Sequence, residues 1–126
     1  MIKKRISVQS AKAKGRKLQQ DIGKRFAEIT GLKFGKDCLI SSREMGQSGT
    51  DVRLIGEALE KIPFSIECKR AESWNVHSWI EQAKNNKLPN TDWLLFARRN
   101  QHKAVVFMDI ETFFKMFEEL HNLRGE

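Results

Sequence analysis

Residues 46–69 read Gly46-Gln47-Ser48-Gly49-Thr50-Asp51-Val52-Arg53-Leu54-Ile55, then Gly56-Glu57-Ala58-Leu59-Glu60-Lys61-Ile62, then Pro63-Phe64-Ser65-Ile66-Glu67-Cys68-Lys69. The pattern predicts two short strands, 51–55 and 63–69, joined by a polar connection. Pro63 suits the first residue of a strand, where its missing N–H costs no ladder bond. Side chains alternate across a strand, so Glu67 and Lys69 share one face and Cys68 takes the other. If the two strands pair, Asp51 comes beside Glu67. The two glycines three apart, Gly46 and Gly49, make the preceding segment turn-like.

Working outward, Leu18, Ile22, Phe26 and Ile29 recur at helical spacing within 14–30, with Gly31 as a stop. A short strand is expected over 37–40 and a turn over 41–49. Downstream, a helix is expected from Asn75 to Lys87, with Val76, Trp79, Ile80 and Ala83 on its apolar side and Pro89-Asn90 ending it. Trp93–Ala97 and Ala104–Met108 are continuous apolar runs, which predict strands covered on both faces. Asp109 is expected to cap a last helix carrying Ile110, Phe113, Phe114, Phe117 and Leu120. The resulting order, α-β-β-β-α-β-β-α, predicts an α/β (α+β) fold: a central mixed β-sheet flanked by helices.

A chain of 126 residues is expected to form one domain, here 14–126, preceded by a basic flexible arm at 1–13. The overall charge of +7 is concentrated at that end. Residues 1–25 hold nine Lys/Arg against Asp21 alone, a net of +8, so the remainder sums to −1. A basic arm on a near-neutral body is the electrostatic footprint of a polyanion binder. No apolar run is long enough to span a bilayer, so no membrane partner is expected. No apolar segment of signal-peptide type follows Met1-Ile-Lys-Lys-Arg. Cys38 and Cys68 form no CxxC or Cys/His cluster, which argues against zinc and demands no oxidising compartment. A cytoplasmic protein is expected.

The chemistry follows from donor types. Mg²⁺ is a hard ion that takes a few carboxylates, a carbonyl and several waters, and Asp51, Glu67 and the Cys68 backbone carbonyl supply such a set. A cation there would acidify water and offset charge on a phosphodiester under attack. Lys69 would orient the water or stabilise the developing negative charge. Ser48 and Thr50 can bond phosphate oxygens through their hydroxyls. Lys12, Lys14, Arg16 and Lys17, with Arg98, Arg99 and Lys103 of the basic 98–103 loop, suit phosphate contact. Glu-x-Lys alone is uninformative; its combination with the glycine turn, Asp51 and the strand spacing is what points to hydrolysis.

Taken together, Lys14-Gly15-Arg16 opening the first helix, Gly49-Thr50-Asp51, Ile66-Glu67-Cys68-Lys69 and a following helix with Glu81-Gln82-Ala83 resemble the PD-(D/E)xK nuclease superfamily. Within it the chain is similar to small phage endonucleases and archaeal Holliday junction resolvases, over roughly residues 14 to 97. The resemblance implies a restriction-endonuclease-like core and Mg²⁺-dependent cleavage of DNA, with Mn²⁺ able to substitute. It also implies catalytic roles for Asp51, Glu67 and Lys69, and a bracing or backbone-touching role for Gln82. Resolvases usually carry a glutamate where this chain has Gln19, flanked by Gln20; an amide oxygen can still bind metal or water, which makes Gln19, or Gln20 in its place, a further candidate. A homodimer would let so small a nuclease cut two strands, whereas one copy would nick. The alternative is a non-catalytic nucleic-acid-binding module on a degenerate nuclease scaffold.

Overall fold

The computed structural model describes residues 7–44 and 47–125. The elements run α1 (Val8–Thr30), β1 (Ile40–Ser42), β2 (Val52–Leu54), α2 (Glu57–Lys61), β3 (Phe64–Arg70), α3 (Val76–Asn86), β4 (Asp92–Arg98), β5 (Val105–Phe107) and α4 (Ile110–Leu123). One sheet holds all five strands in the order β1-β2-β3-β4-β5. The first three strands form an antiparallel meander, β3 and β4 are parallel, and β5 returns antiparallel to β4. The β3–β4 pairing is parallel because α3 supplies the crossover that parallel strands require. The expected mixed sheet with helices is present.

Each face of β3 meets different chemistry. Ile66 and Cys68 join Leu18, Ile40 and Val52 in the larger core cluster, which α1 covers. Ser65, Glu67 and Lys69 lie on the other face, which belongs to α3. There the apolar packing comes from β4 instead, through Trp93 and Leu95 against Ala83, Trp79 and Ile80.

Several local expectations are corrected. The helix begins at Val8, so residues 8–13 of the expected arm are helical; Ser7 caps it, accepting from Ser10 N–H, and the following Ala and Lys residues are strong helix formers. Residues 1–6, Met45, Gly46 and Glu126 lie outside the described residues. The connection after β2 contains α2, stabilised by a Glu57–Lys61 pair one turn apart and by full burial of Ala58. The first strand starts at Ile40 rather than 37, because Cys38 N–H closes a turn onto Gly35 and Asp37 adopts φ 64°.

The C-terminal third departs most. β5 is an edge strand whose Val105 and Val106 are exposed, not covered. Asp109 precedes α4, but its carboxylate accepts from Trp93 Nε1 at 3.1 Å instead of capping the helix. Only Thr112 of α4 is buried, while Ile110, Phe113, Phe114, Phe117 and Leu120 are exposed. Periodicity detected the helix; it could not say which side would find a partner.

The α3–β4 connection is fixed by a buried hydroxyl pair. Ser65 Oγ and Thr91 Oγ1 lie 2.7 Å apart, Ser65 accepts from Leu88 N–H, and Thr91 donates to the Leu88 carbonyl. Ser65→Ala leaves the Leu88 N–H without its acceptor, which costs about 1–3 kcal/mol. Urea unfolding should show a lower midpoint at unchanged slope; an unaltered midpoint would refute this account of how the C-terminal end of α3 is anchored.

Candidate active site

β2 begins one residue after Asp51, whose N–H donates to the Ile66 carbonyl at 2.9 Å. That bond swings the Asp51 side chain over the edge of β3, where Oδ2 accepts from Cys68 N–H at 2.8 Å. N–H and C=O of one strand residue project to the same edge, so the Cys68 carbonyl is turned toward Asp51 as well. Asp51 is 3% and Glu67 1% exposed. Two carboxylates are thus buried side by side.

Their surroundings compensate unequally. Asp51 Oδ1 pairs with the Arg43 guanidinium at 3.0 Å, and Arg43 also donates to the Gln47 carbonyl, clasping the segment that leads into Asp51. Glu67 Oε1 accepts from Asn86 Nδ2 at 3.0 Å. Glu67 Oε2 is buried and meets no hydrogen-bond donor. Burial first, and the Asp51 charge second, raise the Glu67 carboxyl from 4.5 to about 8. The Cys68 thiol is also pushed up, by burial first and then by the Asp51 and Glu67 charges.

Lys69 donates to Gln82 Oε1 at 2.7 Å. The two contacts on this face share a register. Two residues along a strand advance about 6.7 Å and four along a helix about 6 Å. Glu67 and Lys69 on β3 therefore match Asn86 and Gln82 on α3, with the helix running opposite to the strand. Ser65, holding Leu88 N–H, extends the same ladder. Helix α3 is a template that fixes the carboxylate and the ammonium at once.

A second cluster lies at the C-terminal ends of β3 and β4. Register places Arg70 beside Arg98. Arg70 and Lys14 both donate to Asn100 Oδ1, at 2.5 and 3.0 Å, and Glu72 accepts from Asn100 N–H. Arg98 donates to the His102 carbonyl, and Arg99 stacks on Trp74 at 4.6 Å. Lys14, Arg98 and Arg99 are thus brought to one edge, with Lys103 exposed at the neighbouring turn. Lys12 and Arg16 sit one turn apart on α1, while Lys17 pairs with Asp21 at 3.2 Å.

The remaining candidates are more dispersed. Ser48 is exposed, and Thr50 donates its hydroxyl to the Val52 carbonyl. Gln19 is half-buried on α1 beside the core residue Leu18. Its neighbour Gln20 lines a cleft of about 550 Å³ with Ser41, Ser42, Glu44 and Arg53. That cleft is lined by Asp37 and Glu44 but not by Asp51, Glu67 or Lys69. Sequence reading missed Arg43, Asn86, Arg70 and Asn100. Asn86 alone carried a signal, lying four residues after Gln82 and so on the same helical face.

Among the described residues no group of three or more His, Cys, Asp or Glu side chains converges. A cation would take the two carboxylates and complete its shell from carbonyl, water and phosphate oxygens, which suits a hard ion. The unpartnered Glu67 oxygen fits that demand. Without a cation, the raised Glu67 value means the folded protein holds this proton more tightly than the unfolded chain. Its stabilisation is complete below pH 4.5 and is lost as pH rises through about 8. Thermal melts in chelator should therefore show stability falling between those limits, with a flatter profile in Glu67→Gln; parallel profiles would contradict the assigned burial.

No curated protein and no solved structure matches the chain. Residues 10–124 match the family described as "Phage putative PDDEXK endonuclease". That span covers both buried carboxylates, the Lys69–Gln82 pair and all five strands. The chain belongs to this phage PD-(D/E)xK endonuclease family.

Proposed function

We propose that this protein is a metal-dependent DNA endonuclease that uses Mg²⁺, or Mn²⁺ in its place, at Asp51, Glu67 and the Cys68 carbonyl. The observation that carries the reading is the buried Glu67 oxygen without a donor beside a second buried carboxylate. A polyanionic pair in a dry site is costly unless a cation or proton neutralises it. When bound, the cation supplies Lewis-acid chemistry, acidifying water and offsetting phosphate charge. Lys69, held by Gln82, keeps its ammonium at the substrate side to orient the attacking water and stabilise negative charge on phosphorus-bound oxygens. Asn86 is a positioning residue, since it fixes one oxygen of Glu67 and leaves the other free.

DNA is the substrate class we assign. Lys14, Arg98, Arg99 and Lys103 along one edge, with Lys12, Arg16 and Lys17 on α1, would meet backbone phosphates. Ser48 and Thr50 would contact the strand near the centre. Gln19 would act through water or cation from α1. Cleavage of both strands calls for two centres, hence two copies of the chain; a single copy nicks, and a panel of branched and linear duplexes distinguishes structure selectivity. The host cytoplasm is the expected setting.

Asp51→Ala and Lys69→Ala should each lower cleavage of supercoiled DNA at least about 100-fold, the scale of losing one electrostatic stabiliser. DNA affinity should be largely retained, and EDTA should abolish product. Cleavage that persists in EDTA, or at full rate in both variants, would sink the proposal.

The ion pair from Arg43 to Asp51 favours a second reading, a non-catalytic DNA-binding scaffold in which the guanidinium replaces the cation. The two readings part in a Mn²⁺ titration followed by calorimetry. If Arg43 merely competes for Asp51, Arg43→Gln tightens Mn²⁺ binding about 5-fold, because the competent state no longer needs to be freed. Absence of Mn²⁺ binding in both proteins, with DNA binding intact, decides for the scaffold.

A further inference from the structure

Helix α4 is amphipathic in the wrong sense for its own body. At 3.6 residues per turn, buried Thr112 and Lys115, which pairs with Asp92 at 2.6 Å, lie on the side facing the sheet. Ile110, Phe113, Phe114, Phe117 and Leu120 form a stripe on the far side, each 48% exposed or more. Leu123, 85% exposed, lies at the stripe's edge toward Thr112. Together these residues present roughly 700 Å² of apolar surface, above the roughly 300–600 Å² of the largest patch on an ordinary monomer.

We propose that this face is covered by a second copy of the chain, through an antiparallel α4–α4 pair about a two-fold axis near Phe117. The area argues for it. Burying most of this surface on both copies removes about 1,200 Å², at the lower end of the range for specific interfaces. The spacing of Ile110, Phe113, Phe117 and Leu120, three and four residues apart, is the seam of a helix pair.

Charge sets the orientation. The stripe carries no acidic residue, and its C-terminal end holds His121 and Arg124, while Asp109 and Glu111 lie at the start of α4. Antiparallel pairing sets Arg124 opposite Ile110 of its mate, clear of the other Arg124. Parallel pairing would stack Arg124 on Arg124 and His121 on His121. With Phe117 at the axis, Phe114 faces Leu120 of the other copy, and Phe117 faces itself. This proposal stands on surface chemistry alone and is independent of the nuclease reading.

Sedimentation at about 100 µM protein and about 0.5 M salt, where DNA bridging is screened, tests it. Wild type should sediment at twice the 14.6 kDa of one chain. Phe117→Glu should run as a monomer with unchanged far-ultraviolet circular dichroism. A monomeric wild type, or a Phe117→Glu protein that remains dimeric, overturns the interface. In a Cys38→Ser background, Phe117→Cys should crosslink to itself under mild oxidation and Ile110→Cys, which would meet itself only in a parallel pair, should not. A dimer in which residue 117 fails to crosslink overturns the antiparallel register.

Discussion

Two carboxylates that share a water-poor space constrain everything around them. Like charges about 4 Å apart repel by about 4 kcal/mol at an effective dielectric constant of 20. The chain relieves that repulsion in three ways: Arg43 on Asp51, Asn86 on one oxygen of Glu67, and a proton that Glu67 holds well above the usual carboxylate range. Each is reversible. A guanidinium can swing away and a proton can leave, and the negative charge so released is what the proposed cation would draw on.

The architecture holds this arrangement through one β-α-β unit. Strand β3 turns apolar residues toward α1 and polar ones toward α3, and α3 returns the polar side with matching period. The core under α3 is carried by β4, which frees β3 to present chemistry at an inner position of the sheet. An inner strand is also the stiffest place available. β4 pairs with it along its whole length and β2 joins it at Ile66, which restrains the backbone beneath the carboxylates.

What the sequence made legible, and what it hid, divides along local and non-local physics. The alternation of Ile66, Glu67, Cys68 and Lys69 assigns faces from backbone geometry alone, and the distance from Asp51 to Glu67 fits two adjacent strands. The helix over 57–61 was hidden because five residues are too few for periodicity to register. Arg43 was hidden because its partner is set by a loop path rather than by spacing. Exposure of α4 was hidden for a different reason: a hydrophobic stripe records that a helix buries something, and is silent on whether the covering surface belongs to the same chain. The roles of Gln19 and of the basic residues rest on charge and position, which neither periodicity nor packing decides.

The stacking of Arg99 on Trp74 has a thermodynamic corollary. A free arginine surrenders rotamer entropy, about 0.5–1.5 kcal/mol, when an anion immobilises it. Here the indole has already restrained the side chain, and Trp74 is itself held by its Nε1 donating to the Ala71 carbonyl. Part of that entropic toll is met during folding, so an incoming phosphate would find a guanidinium plane already set in orientation. The same contact makes Trp74 a native fluorophore whose emission should report occupancy of the neighbouring basic edge.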